Sequence, residues 1–160
     1  MLRAAVLTIS TSRSRGEGED ESGQRLSELA DRIGADVVAS EVIPDEREVI
    51  EERLRALADQ ERCDLVLTTG GTGFSPTDVT PEATLEVVER QAPGIPEAMR
   101  AASREQTRHW MLSRSVAGIR GSTLIVNFPG NPASIEVAGG AVAEALPHAL
   151  ALIAGRRGHH

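Results

Sequence analysis

The residues of this chain best suited to chemistry fall between Thr68 and Thr84, in the run TTGGTGFSPTDVTPEAT. The segment Asp64 to Thr69 (DLVLTT) reads as a buried strand, and Gly70, Gly71 and Gly73 then let the backbone turn with its N–H groups aimed at a ligand. Thr69, Thr72, Ser75 and Thr77 add hydroxyl groups to this anion-binding pattern. Asp78 brings a carboxylate into the same loop, a combination that makes sense where a divalent cation bridges carboxylate and phosphate. The same letters also spell a plain strand-to-helix turn, with Thr80 as N-cap and Pro81 at the first helical position.

The elements that must hold this loop alternate between strand and helix periods. Arg3 to Ile9 reads as a first strand, and Leu26, Leu29, Ala30 and Ile33 mark a helix closed by Gly34. Asp36 to Ile43 is a second strand. After it, Asp45 and Glu48 have capping-box form ahead of a stripe of Val49, Leu54, Leu57 and Ala58. Pro81 to Arg90 and Pro96 to Arg108 are predicted helices separated by Ala92-Pro93-Gly94. Ser113 to Gly118 and Ser122 to Phe128 read as an antiparallel pair, and Ser134 to Leu146 and Pro147 to Gly155 as the last helices.

This order implies an α/β fold: a three-layer, doubly wound, mostly parallel sheet with one antiparallel strand near an edge. Residues 1–155 form a single expected domain, followed by a short polar tail, 156–160, that carries His159 and His160. Ligands in such folds sit beyond the carboxyl ends of the strands, which here carry Ser10, Asp45, the Gly70 to Asp78 loop and the Asn127 to Pro132 loop. A backbone cradle, two carboxylates suited to Mg²⁺ and no evident nucleophile point to phosphoryl or nucleotidyl transfer by positioning and charge neutralisation.

Composition narrows the ways in which a phosphate can be held. All 17 basic residues among the 160 are Arg, which excludes a Walker-type lysine, a Schiff base and a lysine general base. The net charge of -7 argues against a nucleic-acid surface, because that binding is driven by basic neutralisation of phosphates. Two Phe, one Trp and no Tyr leave the core to aliphatic side chains. Cys63 is alone, which excludes an internal disulfide and suits a packed thiol. No apolar run reaches the roughly 18 residues of a membrane helix, and no signal-peptide pattern is present, so a cytoplasmic protein away from membranes is expected. His109 and His148 lack metal-ligand spacing and receive no role.

The string GGTGFSPTDVTPEAT resembles the signature of the molybdopterin-binding fold of MogA- and MoaB-type molybdenum cofactor biosynthesis proteins and of the gephyrin G domain. TIS (Thr8 to Ser10), DESG (Asp20 to Gly23), IPDE (Ile43 to Glu46), GIPEAMR (Gly94 to Arg100) and NFPGNPAS (Asn127 to Ser134) resemble further blocks in the family's order, so the likeness spans nearly the whole chain. It implies a molybdopterin adenylyltransferase that moves AMP from ATP to the terminal phosphate of molybdopterin with Mg²⁺, releasing pyrophosphate. It also implies a homo-oligomer, a trimer in preference to the hexamer of the MoaB branch, and a molybdenum insertase as a possible partner.

By the same resemblance Asp45 and Asp78 match the catalytic, metal-holding carboxylates. Gly70 to Gly73 and Ser75, with Pro129 and Gly130, match pterin and pterin-phosphate contacts, and Asp20, Ser22 and Gly23 match the nucleotide-side loop. Ser10, Thr69, Thr72, Glu97, Asn131 and Pro132 complete the candidate substrate-binding set. Simpler readings stand beside these: Asp45 as a helix cap, Asp78 in an Asx turn, Glu82 and Glu97 favouring helix N-termini, Asn131-Pro132 as a turn, and Arg120 as a solvated charge over a hairpin. Thr11, Thr77 and Ala133 stand where the family often has Asp, a basic residue and Lys. The alternatives are therefore a MoaB-like paralogue that binds pterin or acts in assembly without efficient catalysis, and a nucleotide-hydrolysing relative of the competence-damage-inducible protein's N-terminal domain.

Overall fold

The computed structural model describes residues 1–155 and places six strands in one sheet; the tail bearing His159 and His160 lies outside the described residues. The strands are β1 (Leu2–Ile9), β2 (Ala35–Ile43), β3 (Leu65–Thr69), β4 (Arg90–Gln91), β5 (Ala117–Arg120) and β6 (Thr123–Phe128), in the order β2-β1-β3-β6-β5-β4. β1 pairs parallel with both β2 and β3, and β3 with β6, whereas β5 is antiparallel to β6 and to β4. Only β5 therefore runs against the rest, one position in from the edge, as the strand and helix order implies.

The alternating pattern of the central strands supplies a core on each face. Ala4 and Val6 of β1 pack with Leu65 and Leu67 of β3 under α2 (Glu21–Arg32), α5 (Gly94–Ser103), α6 (Pro132–Val142) and α7 (Ala145–Ile153). Ala5, Leu7 and Ile9 face the other way, under α3 (Arg47–Asp59) and α4 (Thr80–Val87), where buried Cys63 also packs. Burial raises the Cys63 thiol above its ordinary pKa, in keeping with an inert core group. No single helix among the described residues is long and apolar enough to cross a membrane, and α6 and α7 are bent by 64° to each other.

Several boundaries differ from the sequence reading for identifiable reasons. The helix expected over Pro81 to Arg90 ends at Val87, and Arg90-Gln91 becomes the edge strand because Ile119 and Gly118 of β5 offer it pairing. The helix expected to run to Arg108 ends at Ser103, followed by turns and a 3-10 segment at Trp110–Leu112. A four-residue helix, α1 (Thr11–Ser14), was not anticipated; Ser10 caps it by accepting from the Arg13 amide. Asp45 caps nothing: the N-cap of α3 is Glu46, which makes no side-chain cap. Thr80 likewise is no cap, because its hydroxyl donates instead to the carbonyl of Gly70 at 2.9 Å. Arg120 is an ion-pair residue, not a solvated charge. Its guanidinium bonds the Asp59 carboxylate and the carbonyl of Val87, and holds Asp59 below the usual carboxylate range.

Candidate functional site

Chain order reverses across β1: β2 lies on one side of it and β3 on the other, so the loops leaving β1 and β3 diverge and open a crevice. The glycine loop after β3 occupies it. Gly70 (φ +96) and Gly71 (φ +69) adopt left-handed conformations, and a Cβ on Gly70 would meet the carbonyl oxygen of Ile9 at 2.3 Å. That close approach locks the loop against the end of β1. On the other side the Thr69 hydroxyl donates to the carbonyl of Pro129 at 2.7 Å, and Gly130 packs on Gly70. The Ser22 hydroxyl donates to the carbonyl of Gly130 at 2.6 Å, tying α2 to the same rim.

The carbonyls of Gly70 and Gly71 accept from the hydroxyl and amide of Thr80, and those of Thr72 and Gly73 accept from Arg114, so the loop turns its donors outward. The amides of Gly71, Thr72, Gly73 and Phe74 donate to no described residue, and neither do those of Gly130 and Asn131. Five of these six residues line a cavity of about 400 Å³, whose far wall is α5 and the segment after it, with Met99, Arg100, Ser103, His109 and Trp110. Unpaired amides converging on one hollow are an anion site. Arg100 adds a cation: its Nη1 donates to the carbonyls of Ser113 and Ser115, and it has no acidic partner among the described residues. Asn131 caps α6 by accepting from the amide of Ala133, so the positive end of that helix also faces the rim.

Two carboxylates stand against this cradle. A Cβ on Gly71 would lie 3.2 Å from Asp45 Oδ1, and one on Gly73 would lie 2.9 Å from Asp78 Oδ2. Asp45 Oδ2 accepts from both the amide and the hydroxyl of Thr11, at 3.0 and 3.1 Å, while the Asp45 amide donates back to the Thr11 hydroxyl. Asp78 Oδ2 accepts from the amide of Ser75 at 3.0 Å, the Asx-type contact left open by its sequence. In each case Oδ1 accepts no hydrogen bond from a described residue; for Asp45 this lone oxygen is the one beside Gly71, whereas for Asp78 the oxygen beside Gly73 is Oδ2, the one that accepts from Ser75. Among the described residues no three of His, Cys, Asp and Glu come together as a metal nest. Two hard carboxylate oxygens beside an anion cradle nevertheless suit Mg²⁺, which takes one or two carboxylates and completes its shell with water and phosphate.

Of the candidate residues, the cavity gathers Gly71, Thr72, Gly73, Asp78, Pro129, Gly130 and Asn131, with Asp45 at its margin. Others do structural work at the rim. Thr69 and Ser22 spend their hydroxyls on backbone carbonyls, Pro132 opens α6, and Ser75 is exposed with its hydroxyl paired to Thr77. Asp20 caps α2 by accepting from the Gly23 amide and also accepts from Thr8, while Gly23 is glycine because a Cβ would strike that carboxylate at 2.2 Å. Glu97 is exposed in the first turn of α5, outside the cavity lining, where its charge complements the helix N-terminus. Missed were Met99, Ser103, His109 and Trp110, because the turns after α5 that bring the last two inward carry no periodic signal, and Arg114, which contacts the loop from behind.

A doubly wound sheet with an amide cradle and paired carboxylates at its switch point has the form in which α/β folds receive phosphate-bearing ligands. Residues 5–148 match the family described as a probable molybdopterin binding domain, and the chain belongs to that family. The molybdopterin adenylyltransferase of Helicobacter pylori (strain J99) is 40% identical over 96% of this chain and 89% of its own length. The crystal structure of the molybdopterin biosynthesis enzyme MoaB from Thermus thermophilus superimposes with a TM-score of 0.91 at 44% identity, over 98% of each chain. The molybdenum cofactor synthesis protein cinnamon of Drosophila melanogaster is 40% identical over 92% of this chain, which spans only 25% of that longer relative.

Proposed function

We propose that the protein is a molybdopterin adenylyltransferase of molybdenum cofactor biosynthesis, taking ATP and molybdopterin as substrates. The observation that carries this reading is the row of unpaired amides, Gly71 to Phe74, flanked by the carboxylates of Asp45 and Asp78. An oxygen of the pterin's phosphate attacks the α-phosphorus of ATP, the bond from that phosphorus to the bridging β-oxygen breaks, and pyrophosphate leaves. No general base is needed, since a phosphate monoester has its second pKa near about 6 and is largely dianionic at neutral pH.

The work left to the protein is to bring two anions together. The amides of Gly71 to Gly73, with those of Gly130 and Asn131, bind phosphate oxygens without reorganising, and Arg100 offsets charge from the opposite wall. Asp45, held by Thr11, and Asp78, held by the Ser75 amide, would hold Mg²⁺ through their free oxygens. When bound, that ion supplies Lewis-acid neutralisation of charge developing on the transferred group and on pyrophosphate. The cavity's apolar side, with Met99 and Trp110, excludes water and offers a flat surface to a ring.

The deciding experiment incubates the protein with molybdopterin, ATP and Mg²⁺ and follows adenylylated pterin and pyrophosphate. Formation of both in equal amounts is expected. Binding of molybdopterin with no adenylylated product would replace this reading by a MoaB-like pterin-binding role. Thr11 favours that second reading: it stands where the resemblance leads one to expect a carboxylate, next to Asp45.

A further inference from the structure

We propose that Arg114 is the positioning residue of this site: it straps the glycine loop from behind, and so sets both the direction of the amide cradle and the placement of Asp78. The inference rests on the adenylyl-transfer reading for its catalytic consequence and on geometry alone for its structural one.

The strap has four attachments. The Arg114 amide donates to the carbonyl of Thr72 at 2.8 Å, Nε donates to the carbonyl of Gly73 at 2.7 Å, and Nη2 donates to the carbonyl of Asp78 at 2.9 Å. Glu82, in the first turn of α4, closes the arrangement from the far side with a two-toothed ion pair, Nη1 to Oε2 at 2.7 Å and Nη2 to Oε1 at 3.2 Å. One planar guanidinium thus ties the start of the loop, its end and the following helix.

Because a trans peptide points its N–H opposite to its C=O, fixing the carbonyls of Thr72 and Gly73 towards Arg114 turns the amides of Gly73 and Phe74 away from it. Those amides are two of the unpaired donors of the cradle, and Gly73 lines the cavity while Arg114 does not. Fixing the carbonyl of Asp78 anchors the backbone from which its carboxylate projects. The side chain then reaches back to the amide of Ser75 and leaves Oδ1 free. Arg114 acts only through the loop, so it is not itself a catalytic group. Lysine cannot replace it, since a single ammonium cannot reach two carbonyls and a carboxylate in this fork geometry.

The test compares parent and Arg114→Lys, with Glu82→Gln as a milder variant that keeps both carbonyl contacts. Amide hydrogen exchange of the ligand-free proteins is read first. Faster exchange at Asp78 and Thr80, with β3 unchanged, is expected in Arg114→Lys, and unchanged exchange there overturns the strap whether or not the protein has the proposed activity. Turnover is read second. Arg114→Lys should lose on the order of tenfold to a hundredfold in kcat, the scale of a small misplacement of reacting groups, with Glu82→Gln losing less. The same substitution in an Asp78→Asn background should cost a clearly smaller factor, because the two residues act as one unit. An equal factor in both backgrounds overturns the positioning role. A parent without turnover refutes the adenylyl-transfer reading instead, and the exchange comparison still decides the strap.

Discussion

Replacing Gly71 and Gly73 in turn by alanine separates two functions that share one loop, and the expected costs follow from what each new methyl would meet. At Gly71 the backbone is left-handed at φ +69, a conformation that costs a non-glycine residue about 1–2 kcal/mol. The methyl would also lie 2.3 Å from the hydroxyl of Thr80, a fully buried residue whose bond to the Gly70 carbonyl pins the loop to α4. Displacing that hydroxyl adds about 1 kcal/mol. Gly71→Ala should therefore lose about 2–3 kcal/mol in urea or thermal unfolding, or roughly 5–10 °C in Tm for a chain of this size.

Gly73 has no positive φ, and its methyl meets Asp78 Oδ2 at 2.9 Å, the end of a side chain that can swing away at the loss of its bond to the Ser75 amide. Gly73→Ala should keep its stability to within about 1 kcal/mol and yet lose turnover by roughly tenfold or more, since it moves the carboxylate proposed to hold the metal. Melting curves and adenylylated-pterin assays on the two variants decide the matter. A Gly73→Ala protein as active as its parent, or a Gly71→Ala protein as stable as its parent, would refute the reasoning behind this loop.

Asp78→Asn should leave the Tm nearly unchanged, because the amide oxygen still accepts from Ser75, and should lower turnover by a large factor; parental turnover at saturating Mg²⁺ would exclude a metal role. Asp45→Ser, which could serve a cap, should abolish turnover, since Asp45 caps no helix and its free oxygen faces the glycines; full activity would reject the catalytic assignment. The hydrogen bond from Arg114 depresses the pKa of Glu82, so the pair's stabilisation is present above the ordinary carboxylate pKa and is lost as pH falls through the lower folded value. The stability gap between parent and Glu82→Gln should accordingly shrink below about pH 4, and a gap that widens there would contradict the pairing. Light scattering should give a multiple of the subunit mass, three subunits being expected, and a single subunit's mass at micromolar protein would refute an oligomer.

How far the sequence revealed this architecture depended on what kind of signal each residue carried. The strands and the two-sided core were legible because Ala4 to Leu7 and Leu65 to Leu67 are continuous apolar runs, which is what burial on both faces requires. The glycine loop was legible for a related reason: at Gly70 and Gly71 only glycine satisfies both the positive φ and the close approach of Ile9 and Thr80. What stayed hidden was the use to which polar groups are put. Thr80, Asp45 and Arg120 all have local explanations as cap, cap and solvated charge, and in each a more distant partner overrode it: Gly70 ten residues away, Thr11 at the start of α1, Asp59 at the end of α3. The wall formed by His109 and Trp110 and the strap from Arg114 depend on the irregular path between α5 and β5, which no period announces. A binding loop rich in glycine is thus conspicuous in sequence because the backbone itself must be permitted. The residues that hold it rigid are ordinary in type, and only their hydrogen-bond partners reveal them.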